Sequence, residues 1–139
     1  FRRVLFRSVR AECDPVGMKR CRHVLAENER VQKAVKALES ADAETIGRLF
    51  AASHDSLRYD YEVSCRELDA MVEAAADAPG LIGARMTGGG FGGSTVNLVR
   101  REQAADFAAH VSEKYRMATG VEGKAIIATT SDGVVIGEL

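Results

Sequence analysis

From Asp14 onward, apolar side chains recur at steps of three and four. Cys21, Val24, Leu25, Val31, Val35 and Leu38, with Asn28 among them, fall on one side of a helix. The other side carries Lys19, Arg22, Arg30, Lys33 and Lys36, so the first set is predicted to face the core and the second to face water. Glu27 before Arg30 and Glu29 before Lys33 add weak surface pairing. A second helix is predicted to open at Asp42, whose carboxylate can accept from free first-turn amides, with Ile46, Leu49, Phe50 and Leu57 as its apolar stripe. The tetrapeptide "SCRE" predicts a third, with Ser64 at the N-cap and Glu67 completing a capping box. Leu68, Met71, Val72 and Ala75 then face inward until Pro79 and Gly80 end the run.

Beyond Gly80 the period shortens to two. "LIGARMT" and "STVNLV" read as strands, and "EQAADFAAHVSEKYRMATG" returns to helix through Ala104, Phe107, Ala108, Val111 and Tyr115, with Gly120 as its stop. "KAIIATT" and "GVVIGEL" are rich in β-formers, and the intervening Ser131-Asp132-Gly133 predicts a hairpin. Three helices, two strands, a helix and two strands imply an α+β domain, with helices packed on one face of a largely antiparallel sheet.

A chain of 139 residues suits one domain. Residues 1–10, "FRRVLFRSVR", fit neither the helical pattern nor a signal peptide and are left unassigned as a tail or remnant; the domain is taken as 11–139. A net charge of −1 provides no field to gather nucleic acid or an anionic membrane, and no apolar run approaches the ~20 residues that span a bilayer. Cys13, Cys21 and Cys65 form no metal-ligand spacing, which implies reduced thiols, a cytoplasmic protein and no metal site.

The candidate chemistry lies in "GARMTGGGFGGSTVNLV", residues 83–99. Five glycines surround Phe91, at a cost of roughly 0.5–1 kcal/mol each against alanine in unfolded-state entropy. Such a loop can converge its amides on an anion. Gly88, Gly90 and Gly93 satisfy a dinucleotide-binding spacing, but a strand follows where that fold needs a helix. A Walker loop fails because Ser94 stands where the lysine must be, and a protein-kinase glycine loop lacks its following lysine.

"GARMTGGGFGG" closely resembles the third motif of the galactokinases, members of the GHMP small-molecule kinases. "RHVLAENERV" (22–31), "ASHDSLRYDYEVSCRELDAMV" (52–72) and "SDG" (131–133) resemble the same family in order, so the likeness covers about residues 19–133. Ser94 stands where the family often has cysteine, and Arg66 where it often has proline. The resemblance implies a ferredoxin-like GHMP kinase C-terminal domain and ATP-dependent phosphorylation of galactose at its anomeric hydroxyl. It places Thr87, Gly88, Gly89, Gly90, Phe91, Gly92 and Gly93 at the ATP and sugar site. The family's sugar-recognition motif, its phosphate-wrapping loop, its catalytic aspartate and its magnesium ligands are not among these residues. The chain is therefore expected to be a fragment with no catalytic residue of its own, inactive without an N-terminal partner domain. A small-molecule sensor, an assembly module and another GHMP sugar kinase are the rival readings.

Other conspicuous groups are read as structural. Neighbouring residues of a helix point in different directions, so "SHDS" (53–56) cannot form a nucleophile–base–orienter set and is expected to satisfy local backbone groups. His23 and Glu27 are expected to be a surface pair, Tyr59 and Tyr61 packing anchors, and Arg85 solvated, with phosphate contact as its alternative.

Overall fold

A computed structural model describes residues 14–130. Helix α1 (Pro15–Glu39) starts where a proline suits the first turn and Asp14 Oδ1 accepts from Gly17 N at 2.7 Å. Helix α2 (Ala43–Ser56) is capped as expected, Asp42 Oδ1 accepting from Thr45 N at 3.0 Å, and it widens into a π turn at Leu57–Tyr61. Helix α3 (Arg66–Ala75) and the antiparallel strands β1 (Leu81–Thr87) and β2 (Ser94–Val99) follow. A 3₁₀ turn (Arg101–Gln103) then leads into α4 (Ala104–Thr119), which stops at Gly120 with φ 74°. The α+β class and the order of these elements agree with the hydrophobic pattern.

Three expectations change. The N-cap of α3 is Cys65, without a side-chain cap; Ser64 lies one residue outside it, and its Oγ donates to the charged Asp69 Oδ1 at 2.5 Å. Residues 124–130 are irregular, with Ile126 79% and Ile127 60% exposed. Among the described residues β1 and β2 pair only with each other, so this segment joins no ladder. The remainder of the predicted hairpin, residues 131–139, lies outside the described residues.

The third change concerns α1. Val24, Val31, Val35 and Leu38 are at least half exposed, whereas the seam toward α2 runs His23, Glu27, Arg30, Ala34, Ala37. Small alanines let the two helices approach, and the polar members find partners there. Ser53 Oγ donates to Glu27 Oε1 at 2.7 Å, Arg30 Nε donates to Glu27 Oε2 at 2.7 Å, and His23 Nδ1 lies 3.0 Å from Ser56 Oγ. His23 also stacks on Tyr61, with ring centroids 4.6 Å apart. His23 is thus a buried anchor rather than a surface group, because each of its polar contacts is supplied from across the seam.

Apolar packing is concentrated elsewhere. Ala74, Ala75, Ala78, Ala84, Phe107, Val111 and Tyr115 join α3, β1 and α4, and a second cluster gathers Leu57, Leu68 and the fully buried Met86. Helix α2 meets β1 with almost nothing in between. A Cβ on Gly47 would run into the carbonyl oxygen of Ile82, and one on Gly83 would lie 2.8 Å from Phe50 Cβ.

Gly47→Ala is accordingly expected to destabilise the domain by about 1–3 kcal/mol through overpacking, despite a helix-propensity gain of about 1 kcal/mol, as read from urea unfolding. Loss of hydration holds the His23 pKa below 6.5, against the pull of Glu27 and Asp60. The unfolded chain therefore takes up this proton first. Stability present above pH 6.5 should fall as the pH drops below that value, and His23→Gln should flatten the slope of urea midpoint against pH between 7 and 5.

Candidate functional site

Thr87 pairs with Ser94, so the strands close around a six-residue loop, 88–93. Gly88, Gly90, Gly92 and Gly93 have φ values of 83°, 83°, 135° and 103°. Phe91 shares the left-handed region at φ 59° and is 78% exposed. A bulky residue in that conformation costs of order 1–3 kcal/mol, and a neighbouring contact must hold it there. That contact is the amide of Phe91, which donates to Val63 O at 2.7 Å. Among the described residues it is the loop's one backbone hydrogen bond to another segment. At Gly90 a side chain would strike the same carbonyl, so the apex can press against residue 63 only as glycine.

The remainder of the loop is open. Nothing stands within 4 Å of where a Cβ would sit on Gly88, Gly89, Gly92 or Gly93. Thr87, Gly88, Gly89, Gly90, Phe91, Gly92 and Gly93 therefore form one continuous stretch, pinned at its apex and with bare backbone on either side. Such a stretch can present N–H donors to an anion.

The loop brings little charge of its own. Arg85 turns back: its Nε donates to Met86 O at 3.0 Å and its Nη1 lies 3.4 Å from Glu27 Oε1. Neither expectation for Arg85 describes this, since it is a partly buried tie between β1 and α1. Burial pushes the Glu27 carboxyl up, but hydrogen bonds from Ser53 and Arg30 and the Arg85 charge outweigh it and keep the pKa below the usual range. Among the described residues no three His, Cys, Asp or Glu side chains are placed to hold a metal ion. A shallow hollow of about 240 Å³, lined in part by Ser112, Glu113 and Arg116, includes no loop residue.

The "SHDS" stretch behaves otherwise than predicted. Ser53, His54 and Ser56 are buried and tie α2 to other elements: Ser53 and Ser56 to Glu27 and His23 of α1, and His54 to β1. Met86 N donates to His54 Nδ1 at 3.3 Å, two residues before the loop begins. His54 Nε2 faces Asp69 Oδ1 at 3.5 Å, and Asp69 is bound by Ser64 Oγ and, at 2.9 Å, by Arg58 Nε. Sequence reasoning missed this support. Its one visible signal was three polar residues falling on the buried side of a helix. Tyr61 stacks on His23 but is 38% exposed, and Tyr59 is 59% exposed beneath Arg58, so neither is the buried anchor expected.

The family model for the GHMP kinases C terminal matches residues 34–116. The chain is 45% identical over 120 residues to a galactokinase of Lactobacillus helveticus, covering 86% of this chain and 31% of that protein. It is 49% identical over 113 residues to a galactokinase of Chloroflexus aurantiacus, covering 81% of this chain and 29% of that protein. The crystal structure of Lactococcus lactis galactokinase complexed with galactose matches with a TM-score of 0.74 at 40% identity, covering 78% of this chain and 28% of that one. The chain thus spans less than a third of the length of these relatives. The matched segment holds the glycine loop, α2 and α3 that support it, and nearly all of α4, and on this basis the chain belongs to the GHMP kinase C-terminal family.

Proposed function

We propose that the chain is the C-terminal part of a galactokinase, acting in the cytoplasm in transfer of the γ-phosphoryl group of ATP to the anomeric hydroxyl of galactose. One observation carries this reading: the loop joins open backbone to a clamped apex, in a chain 45% identical to a galactokinase. Phosphoryl transfer depends mostly on positioning and on stabilising charge at the transferred group. Main-chain amides supply fixed donors for that purpose without mobile side chains. Thr87, Gly88, Gly89, Gly90, Phe91, Gly92 and Gly93 form the wall of the ATP and sugar site contributed by this chain.

The open amides fit phosphate oxygens. Magnesium would screen the phosphate charge when bound, and its ligands are assigned on this reading to an N-terminal partner domain. That domain also supplies the acid–base and sugar-reading groups. Alone, this chain contributes one wall and no reacting group.

In a coupled assay with ATP, magnesium and galactose, the purified chain is expected to show no turnover. Grafted in place of the last third of the Lactobacillus helveticus enzyme, it should restore galactose phosphorylation. A folded chimera that fails to phosphorylate galactose would overturn the assignment, and turnover by the chain alone would refute its incompleteness. Gly90→Val in the chimera should lower kcat/KM by about a hundredfold, since an ångström-scale displacement of a positioning element costs that much. Phe91→Gly removes left-handed strain and should leave the urea midpoint equal or higher while raising KM for ATP.

A further inference from the structure

The glycine loop is held at two points, and both lead to one small polar unit. At its base, Met86 N donates to His54 Nδ1; at its apex, Phe91 N donates to the carbonyl of Val63. Val63 precedes Ser64, whose hydroxyl binds the carboxylate that faces the other nitrogen of His54. A backbone amide can only donate, so Nδ1 must carry a lone pair and the ring proton must sit on Nε2. The ring is 5% exposed, and Nε2 has no hydrogen-bond partner, with Asp69 Oδ1 3.5 Å away.

We propose that His54 and Asp69 are positioning residues for the glycine loop, a neutral imidazole gripping the end of β1 while the carboxylate selects its tautomer and orientation. Protonation of His54 would set an N–H against the N–H of Met86 and release the base of the loop. Four charged groups act on the ring through their fields: Asp69 in α3, the exposed Asp55 on its own helix, Arg58 in the π turn and Arg85 in β1. Burial dominates them and keeps the His54 pKa below 6.5, so the gripping form prevails at neutral pH. The consequence for catalysis rests on the reading of the loop as part of the phosphate site; the grip itself does not.

The test uses the isolated chain and needs no nucleotide, so its failure is distinct from failure of the galactokinase chimera. At pH 7.5 the imidazole ¹⁵N shifts of His54 should report a neutral ring with hydrogen on Nε2. On acidification, the amide shifts of Met86, Thr87 and Gly88 should follow the midpoint of His54. In His54→Ala, exchange of the Met86 amide should rise about tenfold, the effect of one lost hydrogen bond, while Val111 and Tyr115 in α4 keep their rates. His54→Gln should recover most of the protection, because its amide oxygen can accept from Met86 and its NH₂ can donate to Asp69. Asp69→Asn should shift the tautomer balance without removing the ring. Hydrogen on Nδ1 in the unaltered chain would overturn the proposal, as would loop amides that ignore the titration of His54. Equal acceleration at Met86, Val111 and Tyr115 would reduce His54 to a general stabiliser and overturn it as well. If His54→Ala does not fold, the tautomer and the titration of the unaltered chain still decide.

Discussion

Backbone touches backbone where Gly47 of α2 meets the carbonyl of Ile82, and this contact sets the spacing on which the site depends. With any side chain at residue 47, α2 would have to stand off from β1 or tilt away. Held close, the helix brings Phe50 over Gly83 and, two turns after Gly47, places the imidazole of His54 beside the amide of Met86. That amide belongs to a strand pairing on one side only among the described residues, so its partner comes from the helix. The loop begins at the next residue but one. A methyl group's worth of space between two elements thus decides where a run of glycines points.

The second organising feature is the polarity of the α1–α2 seam. Buried charge is costly unless paired, and here the pairing is dense. Glu27 receives Ser53, Arg30 and Arg85, while Asp60 receives Ser56 and Arg22. Lys19 and Arg20 clasp Glu62 just beyond the π turn, so three successive regions of α1 grip the same neighbouring helix and turn. A seam of this kind contributes less cohesion than an apolar one of equal area, since much of the attraction offsets lost hydration. It does impose direction, because each group has one partner position that satisfies it. The apolar clusters under β1 supply the cohesion and the polar seam the alignment.

Much of this was legible in the sequence, for reasons that differ by element. The stripes on α2, α3 and α4 follow the helical period, and Ile46, Leu57, Leu68, Phe107, Val111 and Tyr115 are buried as the pattern demands. Asp42 caps α2 because the local geometry of four residues suffices to decide it. The glycine loop was legible from composition, since so much unprotected backbone between strands has few uses. Ser64 was misread because the N-cap falls one residue later, at Cys65, and its own hydroxyl finds Asp69, outside the capping-box rule. The "SHDS" residues were underestimated for a related reason: their partners Glu27, Met86 and His23 are distant in sequence. No periodicity rule weighs a hydrogen bond that forms only after helices have met.

Helix α1 reverses the ordinary relation between hydropathy and burial, its valines turned outward and its histidine, glutamate and arginine turned in. Tolerance to replacement reverses with it. A lysine or glutamate at Val31 or Val35 would find water, whereas an oily residue at Glu27 would strand Ser53, Arg30 and Arg85 together. A residue-similarity matrix would therefore grade this helix upside down, scoring its harmless exchanges as damaging and its damaging ones as mild.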